Sequence, residues 1–72
     1  MHSLQHEIQI ILSTRSDDDV AARQISDIIN SRTNIRPSSV KVSQSGRVVM
    51  ARVTMPGGQI QDFQVGTTPP AM

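Results

Sequence analysis

The chain has no cysteine, no tryptophan and no tyrosine, and its single phenylalanine stands at position 63. Without cysteine there are no disulfides and no thiolate metal sites, which fits a reducing compartment and predicts a cytoplasmic protein. With so few rings the core has to be aliphatic, and the stacking surfaces that single-strand nucleic-acid binders use are missing. No apolar run approaches the roughly 20 residues of a membrane helix, and Met1 to Glu7 lack the basic start and apolar stretch of a secretory signal. Acidic residues are absent from a long interior stretch. None lies between Asn30 and Gln61, where Arg32, Arg36, Lys41, Arg47 and Arg52 all fall.

What is present divides into two electrical halves. Glu7, Asp17, Asp18, Asp19 and Asp27 against Arg15 and Arg23 give residues 1–29 a charge of −3; residues 30–61 carry +5, and Asp62 returns the total to +1. Ile, Leu, Val and Phe number 18 of 72, above the composition of a disordered chain and enough for a compact core. A chain this short buries only roughly 60% of the surface its unfolded form exposes. Small domains with thin cores often gain stability by association, so a homo-oligomer, or docking on a larger protein, is expected.

The segment Glu7–Ser13 alternates, with Ile8, Ile10 and Leu12 on one side and Glu7, Gln9 and Ile11 on the other, the period of a half-buried strand. Ser16 followed by Asp17, Asp18 and Asp19 reads as an N-cap and an acidic first turn. Ala21, Ile25, Ile28, Ile29 and the stem of Arg32 form one helical stripe, with Asn34 as a left-handed cap and Pro37 barring continuation. From Val40 onward the pattern is strands and turns. Ser45-Gly46 offers a two-residue hairpin loop, setting Val42 opposite Val49 and Val40 opposite Ala51. Pro56-Gly57-Gly58 fits a three-residue loop with Gly58 in the left-handed region. That register opposes Ala51 with Phe63, Val49 with Val65, and Arg52 with Asp62. The two-residue alternative would place Asp62 and Gln64 on the apolar side.

The expected architecture is α+β: a two-layer β-α-β-β-β domain over residues 1–66, with one helix on one face of a three- to four-stranded, mostly antiparallel sheet, and an extended tail over 67–72. One helix covers one face. The other is left with Ile11, Val48, Met50 and Ile60 beside Arg52 and Lys41, the composition of an association surface.

No residue pattern in the chain marks a catalytic, metal or phosphate site. His2 and His6 precede the first regular element and no third ligand converges on them, so no metal is expected. Asp17–Asp19 are explained by capping, since consecutive helical residues point different ways. Pro-Gly-Gly lacks the following helix of a phosphate loop, and no serine sits in a nucleophile elbow. A non-enzymatic protein without cofactors is predicted. The function that fits is a protein-binding or assembly module, a bacterial or phage accessory protein, associating through the open sheet face at Ile11, Val48, Met50, Arg52 and Ile60. The alternative is nucleic-acid binding by the basic surface of Arg32, Arg36, Lys41 and Arg47.

Overall fold

A computed structural model describes residues 3–66, so the expected tail at 67–72 lies outside the described residues. Two helices, α1 (Leu4–Thr14) and α2 (Asp18–Thr33), precede three strands, β1 (Ser39–Ser45), β2 (Val48–Thr54) and β3 (Ile60–Gly66). The strands form one antiparallel sheet in the order β1-β2-β3. The class is α+β as expected, but the order is α-α-β-β-β and two helices cover the sheet.

The strand expected at residues 7–13 is helix α1. Glu7–Leu12 satisfies two periods at once: Ile8, Ile10 and Leu12 alternate, while Leu4, Ile8, Ile11 and Leu12 recur at four, three and one, the spacing of a helical stripe. The helical solution is supported at its start, where the Ser3 hydroxyl accepts from the His6 N–H at 3.1 Å, with Glu7 in the first turn. Ile8 and Leu12 are buried, and Ile10, expected inside, is 44% exposed because it sits two residues, about 200°, round the helix from Ile8.

Helix α2 begins one residue later than expected. Asp17, not Ser16, is the N-cap: its carboxylate accepts from the Asp19 and Val20 N–H groups at 2.8 and 3.2 Å. A carboxylate both caps and meets the positive end of the helix dipole. At the other end Asn34 adopts φ 60° and donates its N–H to the Asn30 carbonyl at 2.9 Å, as the cap reading required.

The two hairpins follow turn chemistry to different degrees. The β2–β3 connection is the three-residue loop: Gly58 lies at φ 88°, its N–H donates to Met55 O at 2.9 Å, and Met55 N–H donates to Gln59 O at 2.7 Å. Ala51 faces Phe63, Val49 faces Val65 and Arg52 faces Asp62 as expected. The β1–β2 loop is Gly46-Arg47, not Ser45-Gly46, so Val42 faces Ala51 and Val40 faces Val53. Gly46, at φ 60°, takes the first loop position, where a left-handed φ is required. The slip of two in pairing preserves the faces, because side chains alternate with period two.

The core lies between the helices and one face of the sheet. Ile8, Leu12, Ile25 and Ile29 pack on Val49, Ala51 and Val53, with Val40, Val42, Phe63 and Val65 at the margin. Helix α1 lies mainly on β3 and α2 on β1. Arg32 pairs with Glu7 and joins the two helices, while Arg15, which pairs with Asp18 at 2.9 Å, reaches the sheet by donating to Gln44 Oε1 at 2.6 Å.

Candidate interaction surface

Since both helices lie on one face, the other face of the sheet carries no layer among the described residues. Alternation from β2 outward puts Val48, Met50, Arg52 and Thr54 there, flanked by Ser45, Ser43, Lys41 and Ser39 of β1 and by Gly66, Gln64, Asp62 and Ile60 of β3. These residues form four cross-strand rows.

The rows separate what the sequence reading grouped. Ile11 is on α1 and packs against the core, so it is no part of this face. Val48 and Met50 are neighbours on β2. Ile60 is 58% exposed but stands three rows from Val48, in the row of Ser39 and Thr54. Between it and Met50 lies a charged row, Lys41, Arg52 and Asp62. The continuous apolar patch is therefore replaced by an apolar end at Val48 and Met50, a charged middle, and an isolated isoleucine. The cause is register: Ile60 follows the Met55–Gln59 loop directly and can meet only Thr54.

The charged row is a forked pair. Arg52 Nε and Nη2 donate to Asp62 Oδ1 and Oδ2 at 3.0 and 3.3 Å. The hydrogen bond and the adjacent negative charge raise the Arg52 pKa above its ordinary value, so this guanidinium is charged at every working pH. Lys41 completes the row on the far side of Arg52. In the next row the Gln64 amide lies 3.9 Å from the Met50 sulfur, leaving Met50 half-buried. A shallow depression of about 370 Å³ borders Met50, Arg52, Lys41 and Ser43, and turns round the β1 edge to Asp18 and Ala22 of α2. A second depression, of about 480 Å³, lies between His6, Gln9 and Ile10 of α1 and the end of β3. There Gln9 Nε2 donates to the Gln64 carbonyl at 3.3 Å.

The four residues of the expected basic surface do not converge. Arg32 is engaged with Glu7. Arg36 lies in the connection after α2, Arg47 in the β1–β2 loop at the opposite end of β1, and only Lys41 is on the open face. Among the described residues no group of three or more His, Cys, Asp or Glu side chains is placed to hold a metal ion, and no helix is long and apolar enough to cross a membrane. The sequence reading missed the links Arg15–Gln44 and Glu7–Arg32. They join residues 29 and 25 apart, and no local spacing signals them.

No known protein family, characterised protein or solved structure matches this chain.

Proposed function

We propose that this protein is a non-catalytic interaction module that associates through the bare face of its sheet, with Val48 and Met50 as the apolar contact and the Lys41–Arg52–Asp62 row as the element that fixes orientation. The observation that carries this reading is the absence of any layer over that face among the described residues, while the opposite face holds Val49, Ala51 and Val53 at 1% exposure or less. An apolar end of Val48 and Met50 beside a forked ion pair combines the two kinds of contact that protein interfaces use, apolar burial and polar matching. Docking of nucleic acid is the weaker reading, because Arg36, Lys41 and Arg47 point to separate places and Arg52 is held by its own carboxylate.

The test is site-specific photocrosslinking in the native host. A photoreactive residue at position 50 is compared with one at position 23, on the solvent side of α2. Adducts specific to position 50 are the expected result; equal or absent labelling at the two positions would remove the reading.

A further inference from the structure

Apart from the bare face, and independently of that reading, the geometry points to a second docking place: the outer edge of β1 takes an extended peptide, added as an antiparallel strand with a basic side chain beside Asp18 and Asp19. The sheet order β1-β2-β3 leaves β1 and β3 as the edges among the described residues. Which main-chain groups face outward follows from the register. The two-residue loop makes Ser45 and Val48 a hydrogen-bonded pair, so along β1 the odd-numbered residues bond to β2. The other hairpin agrees: Met55 N–H donates to Gln59 O, which turns the odd-numbered residues of β2 toward β3 and leaves the even-numbered ones for β1. The N–H and C=O groups of Val40, Val42 and Gln44 therefore point away from the sheet.

The two edges differ. On β3 the outward groups belong to Ile60, Asp62, Gln64 and Gly66, and the Gln64 carbonyl already accepts from Gln9 Nε2 at 3.3 Å, a side-chain donor standing where a strand N–H would. On β1 a depression of about 370 Å³ opens along Val40 and Val42 and runs up to Ala22, Asp18 and Asp19 of α2.

These groups define the occupant. A row of unpaired N–H and C=O groups is matched at every position by another extended main chain. In an antiparallel ladder the side chains opposite Val40 and Val42 fall on the α2 side. There they cover two half-buried valines and meet Ala22, whose small side chain leaves room. Beyond it Asp18 is shared with Arg15, while the carboxylate of Asp19 is exposed, so a basic residue is attracted at this point and an acidic one repelled. A second copy of this chain fits poorly. Pairing β1 with β1 would set two α2 helices over strands about 4.8 Å apart, where helices need about 8–10 Å between axes, and the β3 edge of a copy is engaged by Gln9.

The test is amide hydrogen exchange of the full chain, read by nuclear magnetic resonance, with a blocked peptide in which threonine alternates with valine, lysine and valine. At about 2 mM peptide the Val40, Val42 and Gln44 amides should exchange about ten-fold more slowly, with Ile60 and Asp62 unchanged. Methylating the peptide nitrogens of valine and lysine, which face β1 in this ladder, should abolish the effect, whereas methylating those of threonine should not. Replacing the lysine by glutamate should weaken binding about three-fold or more, and Asp19→Asn, checked for folding by circular dichroism, should narrow that difference. No slowing on β1, equal slowing on β3, or equal behaviour of the two methylated peptides overturns strand addition at this edge. A glutamate peptide that binds as well as the lysine one overturns the basic occupant. Protection of Val40 and Val42 that grows with protein concentration in the absence of peptide also overturns it, by assigning the edge to a second copy. None of these outcomes bears on adducts from position 50, which test the bare face alone.

Discussion

The two faces of this sheet are built from the same three strands, yet they have opposite chemistry. Along β2, Val49, Ala51 and Val53 point to the helices and are almost fully withdrawn from water, while on the other side Val48 is 40% exposed, Met50 is half-buried, and Arg52 and Thr54 follow them in line. The covered face is saturated with aliphatic contacts and holds no buried polar residue among those described. The bare face mixes two apolar neighbours with a charged row. Stability is therefore concentrated on one side of β2 and is nearly independent of the other, which leaves the bare side free to be shaped by association.

Three substitutions probe that division. The largest effect is expected from Ile8→Ala, which removes a fully buried side chain from the layer over the sheet. It should cost about 2–5 kcal/mol in urea unfolding, and a loss no greater than that of a surface substitution would show that α1 is not part of the cooperative unit. Next comes Asp17→Ala, which strips α2 of the carboxylate that accepts from Asp19 and Val20. A loss of about 1 kcal/mol is expected from the same measurement, and no change would mean that Ser16 can take over as cap. The smallest effect belongs to Arg52→Gln on the bare face. Its exposed pair with Asp62 should leave the melting temperature within error of the parent, with the consequence appearing in association instead. A clear drop in thermal stability would contradict the separation of the two faces.

Which parts of this arrangement could be read from the residues alone follows from how local their causes are. The β2–β3 register was readable because Pro56-Gly57-Gly58 admits one loop that keeps Asp62 and Gln64 off the apolar side. The Asn34 cap was readable because few residues other than glycine accept a left-handed φ. The first hairpin was displaced by one loop position, since Gly46 can serve as either central residue and parity is the same in both cases. Residues 7–12 were misread because a stretch of three isoleucines and a leucine satisfies both periods. Only the docking of Ile8 and Leu12 on the sheet decides between them. The candidate surface was half readable. Val48, Met50 and Arg52 lie on the bare face as alternation requires, whereas placing Ile11 there depended on the misread strand, and joining Ile60 to them ignored the row of charges between.

The seat of α1 has a further consequence. Among the strands this first helix rests mainly on β3, with residues 15–59 between them. During synthesis residues 4–14 emerge before their docking strands are made, and closing so long a loop delays the contact. Until β2 and β3 are both in place, Ile8 and Leu12 lack part of their cover, so the growing chain passes through a stage with greasy surface showing, when a holding chaperone would find it. By the same logic, a lesion that unzips β3 also loosens the helix at the other end of the chain.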